Sequence, residues 1–401
     1  MDADEILQNI DQVLPFYQPI FSADEHRVAG YELLGRFKKD DEFISIGHFF
    51  ADETIPEEYR IEVDNYLLEQ ALQKMMSAGE DFLLFINRDP KLLMYDQGES
   101  FLTTIQKYLA PDQLQRIVLE LTNTEYTGSI DSLQHLISYY KTYGIKIALS
   151  HLGEESHLDR IAQLSPHILK VNLNQLRNSS GDASPIILYS LNILARKIGA
   201  NLLYEHIEQE YQLQYAWKNG GRYYQGFLLA RPTPDFIDKD SLNDTFREQA
   251  INYIKYEKKK LEARYVKTSE LNESLKQLID KKKNTEPYVS LLSDLAEKME
   301  TMCFRLYICN EDGFQLSPNL MKVEGNWTNQ EEYIGRNWSW RPYFLANIVQ
   351  MKKDQKGMLS GIYSDIETGE SIRTFSFPLM DGNYLFIDLS YAYLYENDAL
   401  L

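Results

Sequence analysis

Arg27-Val28-Ala29-Gly30-Tyr31-Glu32-Leu33-Leu34-Gly35-Arg36 is a short, largely apolar segment that carries a carboxylate and closes on a guanidinium. Segments of the same kind recur along the first part of the chain: Phe16–Phe21, Phe82–Asn87, Arg116–Thr122, Lys146–Ser150, Ile168–Leu173, Asn201–Glu205 and Tyr223–Leu229. Continuous apolar runs this short fit strands buried on both faces. Helical stretches lie between them. Pro56 opens one that runs to Ser77, with Gly79 just beyond, and its Val63, Leu67, Leu68, Ala71, Leu72 and Met75 recur at helical spacing. Asp131–Tyr143 ends before Gly144, and Pro185–Ile198 before Gly199. Strands alternating with helices in this number predict an α/β fold, a TIM-like barrel. An open doubly wound sheet is the competing arrangement, but no Gly-rich dinucleotide fingerprint follows an early strand.

Barrels of this kind place their chemistry at the C-terminal ends of the strands. Glu32, Asn87, Glu120, Ser150, Asn172, Glu205 and Gln225 stand there. Carboxylate and amide oxygens together suit magnesium, manganese or calcium. The formal net charge of −19 excludes a general affinity for DNA or an anionic membrane, although a local site can still take a small anion. The two cysteines, Cys303 and Cys309, lie six apart in an apolar run, where a strand would put both on one face as small core residues. No signal-peptide pattern and no apolar run of membrane-spanning length is seen, which predicts a cytoplasmic protein.

Composition shifts near Leu242, dividing the chain into a barrel (1–242), a linker helix (243–285) and a second domain (286–401). Asn243–Lys283 has no glycine or proline, and Ile251, Ile254, Leu261, Tyr265, Leu275 and Ile279 form an apolar stripe that fits a dimerising helix. Beyond Pro287 an amphipathic helix, Tyr288–Met299, precedes strand candidates Phe304–Ile308, Ile372–Phe377 and Tyr384–Leu389. Turn signals at Glu311-Asp312-Gly313, Glu367-Thr368-Gly369 and Asp381-Gly382 predict a small α+β sensory domain.

The motifs of the first part resemble, in order, those of the EAL family of cyclic di-GMP phosphodiesterases. Tyr17-Gln18-Pro19-Ile20 is similar to its opening "YQPI", and Glu32-Leu33-Leu34-Gly35-Arg36 to "EALxR" with Leu33 for alanine. Asn87 matches "VN", Glu120-Leu121-Thr122 matches "ELTE", and Lys170 matches "KID". Glu205 and Glu208 match "AEGVE"; Gln225-Gly226-Phe227 and Arg231-Pro232 match "QGY…RP". The resemblance implies a cyclic di-GMP site that includes Gln18, Leu34, Arg36, Asn87, Glu205, Glu208, Gln225, Gly226 and Pro232. It also implies one divalent ion held by Glu32, Asn87 and Glu120, and a homodimer. Among the side chains, Arg36 can pair with phosphate through two donors, and Tyr17, Tyr204 and Phe227 offer apolar surface for a purine.

Departures from the family pattern fall on the catalytic positions. Family enzymes carry "DDFG", whose aspartates help hold two divalent ions and the attacking water; here Ser150-His151-Leu152-Gly153 stands instead. Asn172 replaces the aspartate of "KID", Asn123 the last glutamate of "ELTE", His206 the glycine of "AEGVE", and Gly153–His157 the "GTGYSS" loop. Fewer carboxylates hold fewer cations. The resemblance therefore implies a degenerate barrel, a cyclic di-GMP receptor with retained Lys170 and Glu205 and little or no hydrolysis; a weakly active phosphodiesterase and a scaffold without nucleotide are the alternatives. In the second domain, Trp340, Arg341, Tyr343, Tyr363 and Asp365 resemble the ligand cluster of PAS- or Cache-like domains and imply a small ligand, with an Arg341–Asp365 pair inside an aromatic cluster as the plainer reading.

Overall fold

A computed structural model describes residues 3–122, 126, 128–152, 158–174, 184–280, 287–341, 344–397 and 400. Asn123, Gly153–His157 and Tyr343 lie outside the described residues, as does the side chain of His151. The chain divides into two compact units, Met1–Ala250 and Ile251–Leu401.

In the first unit, β1 (Val13–Ser22), β2 (Val28–Lys39), β3 (Glu42–Ser45), β4 (Leu83–Arg88), β5 (Ile117–Thr122), β6 (Lys146–Leu152), β7 (Ile168–Asn172), β8 (Asn201–Glu205) and β9 (Gly221–Tyr224) form one sheet. Pairing runs β1-β9-β8-β7-β6-β5-β4-β2, and β1 also pairs with β2, which closes an eight-stranded barrel. β1 is antiparallel to both its neighbours and the remaining barrel neighbours are parallel, while β3 adds to β2 antiparallel. Helices Glu57–Ala78, Ile130–Thr142 and Ser184–Ile198 follow the predicted stretches to within a residue or two. Gly79 closes the first of them in the left-handed conformation that suits a residue without Cβ.

One strand reading of the first unit needs correction. Tyr223–Leu229 is not one strand: β9 stops at Tyr224, because Gly226 turns in so tightly against Ile207 that a Cβ there would overlap the Ile207 backbone. β3, an exposed four-residue extension paired with β2, has no apolar run to announce it.

Alternation along the strands sorts the barrel interior into layers. Ile20, Phe85, Val118, Ala148, Ile168, Leu203 and Tyr223 fill it with one apolar cluster. Residues of opposite parity, such as Tyr17 and Tyr204, pack outward in the larger core beneath the helices. Both rings are fully buried there, Tyr17 against Phe236 and Tyr204 bonded to Asn219 O, so neither supplies the purine surface expected of it.

The second unit is α+β. Its antiparallel sheet runs β12 (Asn326–Gln330), β11 (Asn319–Val323), β10 (Cys303–Cys309), β16 (Tyr384–Leu389), β15 (Ser371–Pro378), β13 (Met358–Leu359), with β14 (Tyr363–Ser364) also on β15. Both cysteines are buried free thiols, but they do not share a face. A register shift between Cys303 and Arg305 reverses the alternation, so Cys303 packs with Leu306 and Ile308 while Cys309 packs with Tyr307. The apolar stripe on helix Asn243–Asp280 is also divided. Ile251, Ile254, Leu261 and Tyr265 are exposed, whereas Leu275 is buried and Ile279 packs against the second unit's own core.

His167 stitches the barrel floor: its Nδ1 accepts the Ile147 N–H at 3.0 Å. Burial, reinforced by Lys141 and Lys146, holds its imidazole below the ordinary histidine value. Protonation would turn the acceptor into a donor. Because the folded value is depressed, stability is full above about pH 6.5 and is lost as pH falls through the folded value. Urea titrations at pH 7.5 and 5 should show a loss for the barrel transition that is smaller in His167→Asn; an equal loss in both would remove His167 as a cause.

Candidate functional site

Two residues beyond each apolar interior position comes a polar one. Ile20 is preceded by Gln18 on antiparallel β1, while Phe85, Val118, Ala148, Ile168, Leu203 and Tyr223 are followed by Asn87, Glu120, Ser150, Lys170, Glu205 and Gln225. Register places Gln18 opposite Glu32 and Asn87 opposite Glu120. A polar ring is thereby stacked on an apolar one.

Lys170 is the hub of that ring and is 1% exposed. Its ammonium lies 2.7 and 2.9 Å from the two Glu120 oxygens, 2.9 Å from Glu32 Oε2 and 3.3 Å from Glu205 Oε2. Glu32 also accepts from Asn87 Nδ2 at 2.7 Å and Gln225 Nε2 at 2.6 Å. Burial by itself would lower Lys170, but Glu120, Glu32 and Glu205 outweigh it and hold the ammonium well above its usual range. Burial would raise Glu32, yet Lys170, Gln225 and Asn87 hold it below the ordinary carboxylate value. Glu120 goes the other way: burial, with Glu32 and Glu205 adding and Lys170 opposing, pushes it up to about 8. Three carboxylates surround one cation, and Glu120 carries the imbalance.

Above this ring opens a cavity of about 770 Å³. Gln18, Glu32, Leu34, Arg36, Asn87 and Glu120 line it, as do Glu205, Glu208, Gln225, Gly226 and Pro232. Those eleven are the positions named from the motifs. Lys170, Ser150 and Asn172 do not form its wall. Ser150 is buried, its hydroxyl 3.5 Å from Leu121 O; Asn172 lies opposite Glu205 in the β7–β8 register. Arg36 donates to Gly35 O at 3.0 Å and sits 5.9 Å from the Phe16 ring, with no ion pair among the described residues. Gln225 Oε1 is buried without a partner. Phe227 is half exposed on the cavity wall, and His206 joins it with φ of 58°, a backbone conformation glycine takes without strain.

Reading strand ends missed the opposite wall. Arg60 and Asp64 of helix Glu57–Ala78 reach it, as do Arg88 at the end of β4 and Asp89 and Lys91 just beyond it. Asp64 is paired with Arg88, and Lys91 with Glu53. The signal was present: Arg60 precedes Val63 and Leu67 on the helix's apolar face, where a charged residue is out of place.

In the second unit, Asp365 is bonded to Arg305 rather than Arg341, because the register brings Arg305 beside Asp388 and its fork also reaches Asp365 and Glu367. Arg341 stacks over Trp338 at 4.6 Å and lies 5.8 Å from the exposed Trp340 ring. Tyr363 is bonded to Thr374.

Family comparison settles the lineage. Residues 3–232 match the EAL domain, and residues 236–401 match the EAL-domain associated signalling protein domain. The chain belongs to the EAL domain family. It is 49% identical, over the whole of both chains, to the EAL-domain containing protein YkuI of Bacillus subtilis (strain 168). It is similar at a TM-score of 0.96, again over 100% of each chain, to the crystal structure of that protein in complex with c-di-GMP and calcium. The cyclic di-GMP phosphodiesterase PdeA of Borreliella burgdorferi is 27% identical over 43% of this chain and 27% of its own length. No helix among the described residues of this EAL protein is long and apolar enough to cross a membrane.

Lys170→Met should remove the sole cation from the carboxylate ring and destabilise the barrel by about 3–5 kcal/mol at neutral pH in the presence of chelator. Part of that loss should return near pH 5 as the carboxylates protonate. Urea unfolding measures both; an unchanged midpoint would show that the ring does not depend on Lys170.

Proposed function

We propose that the barrel is a cyclic di-GMP receptor that hydrolyses its ligand slowly or not at all. The supporting observation is a cavity of about 770 Å³, lined by Arg36 and by Gln225, whose buried Oε1 has no partner, over a carboxylate ring that lacks family aspartates. Arg36, without a carboxylate partner, keeps its fork for a phosphate. Gln225 Oε1 awaits a donor such as a guanine N–H. The YkuI complex with c-di-GMP, at 49% identity, supports the same ligand.

The ring also fits a divalent cation. Burial, with Glu32 and Glu205 adding to it against Lys170, leaves Glu120 near 8, a carboxyl that a divalent cation would draw back to its charged form. No three His, Cys, Asp or Glu side chains among the described residues converge as a metal shell, so an amide completes the set: Glu32, Asn87 and Glu120 would hold one magnesium, manganese or calcium ion. Such an ion supplies Lewis acidity and lowers the pKa of bound water. The chain's own residues bind and orient. Arg36 fixes the phosphate, Gln225 and Glu32 hold each other in place, and Lys170 keeps Glu120 and Glu205 from repelling the dinucleotide.

A second ion has little to hold it. Ser150 is neutral and turned to Leu121 O, and Asn172 brings no charge. Exposed Ile186, Tyr189 and Ile193 on helix Ser184–Ile198, with the exposed half of the long-helix stripe, support a homodimer. In the second unit Trp340 and Arg341 support capture of a small planar or anionic ligand, coupling a sensory input to the barrel.

Calorimetry on the full chain with calcium should detect cyclic di-GMP, and Arg36→Ala should weaken it about tenfold or more; no heat from a folded protein would refute the receptor. Product assays with magnesium, manganese and calcium should show turnover lower by several orders of magnitude than a two-metal phosphodiesterase, since each ~1.4 kcal/mol of lost transition-state stabilisation is tenfold. Rapid turnover would make this an enzyme with an unusual site. Light scattering should report a dimer; a monomer at high concentration would contradict the assembly.

A further inference from the structure

Arg60 stands at the start of the apolar face of helix Glu57–Ala78 and is 4% exposed. Its guanidinium donates to Phe50 O at 3.3 Å and faces Glu57, an exposed carboxylate, at 3.6 Å. Its Nε is buried without any hydrogen-bond partner. A guanidinium cannot shed its charge, and a buried donor left unmade destabilises the fold. A leucine here would continue the apolar face without that cost. Such a residue is poorly explained by packing.

Its position gives another explanation. Arg60 lines the cavity on a wall shared with Phe50, Leu67, Pro90 and Leu92, an apolar lobe of the kind that accepts a flat ring with few polar contacts. The other ionic pairs of that wall, Asp64 with Arg88 and Lys91 with Glu53, are formed within the wall itself. Arg60 keeps unspent donors. Guanine presents two acceptors, O6 and N7, at the spacing of a guanidinium fork, whereas adenine replaces O6 with a donor amine. We infer that Arg60 reads the O6/N7 edge of one guanine and so selects guanine over adenine in this cavity. This rests on the proposed cyclic di-GMP site and adds a specificity-determining residue to it.

The test uses the full chain with calcium and two probes, cyclic di-GMP and cyclic di-AMP, titrated into the wild type, Arg60→Met and Arg60→Lys. Arg60→Met should weaken cyclic di-GMP roughly 10- to 100-fold and leave cyclic di-AMP within about threefold. Its melting temperature should hold or rise, because an orphan donor has been removed. Arg60→Lys, with a single donor, should recover part of the selectivity. Equal weakening of both nucleotides, or no change in either, would overturn the inference. Should Arg60→Met fail to fold, Arg60 is structural unless the folded Arg60→Lys variant loses selectivity. A wild type that binds neither nucleotide would overturn the receptor reading and this inference with it; a wild type that binds while Arg60→Met keeps full selectivity overturns this inference alone.

Discussion

One ammonium among three carboxylates organises the barrel. Lys170 reaches Glu120, Glu32 and Glu205 from three other strands within 3.3 Å, and all four side chains are buried. A buried charge is tolerated only when paired, and breaking such a set costs several kcal/mol. The constraint works in both directions. It locks the register of β2, β5, β7 and β8 at one height, and it leaves a net negative patch at the floor of the cavity. Everything proposed for the site follows from that patch: a divalent ion is welcome, and a dinucleotide phosphate needs the ion and Arg36 to approach it.

In the proposed site, the positions that would bring a second cation are those where the sequence departs from the family motifs it resembles. Neutral Ser150 is buried with its hydroxyl toward the Leu121 carbonyl, and Asn172 lies opposite Glu205 in the register. In the proposed receptor, loss of charge at the strand ends and retention of the residues proposed to bind are different physical events. Binding needs shape and a few donors, whereas attack on the phosphodiester needs a water activated by closely spaced cations. A barrel can lose the second and keep the first.

Much of this was legible in the sequence because a strand's alternation is rigid. Short apolar runs gave the barrel, and Phe85-x-Asn87, Val118-x-Glu120, Leu203-x-Glu205 and Tyr223-x-Gln225 carry the polar ring on their face. The same rule, applied strictly, would have sent Tyr17 and Tyr204 outward, since they neighbour Gln18 and Glu205. It would also have put Lys170 in the ring through Ile168-x-Lys170, where looking for a polar residue at the strand's C-terminal end chose Asn172. Other features needed three dimensions. The alternation fails at a bulge, as between Cys303 and Arg305. Arg305 chooses Asp365 over any partner nearer in sequence because pairing with β16 sets its direction. Arg60 and Asp64 meet the cavity only through the path of a helix, although a charged residue on an apolar face was a visible clue.

Anomalous diffraction at the manganese edge from crystals grown with manganese and cyclic di-GMP addresses the receptor reading most directly, because it shows the ions and the ligand together. The result expected is one ion bound by Glu32, Asn87 and Glu120, beside an intact cyclic dinucleotide in the cavity above Lys170. Two closely spaced ions with a linear dinucleotide, or a cavity that stays empty under the same conditions, would contradict it.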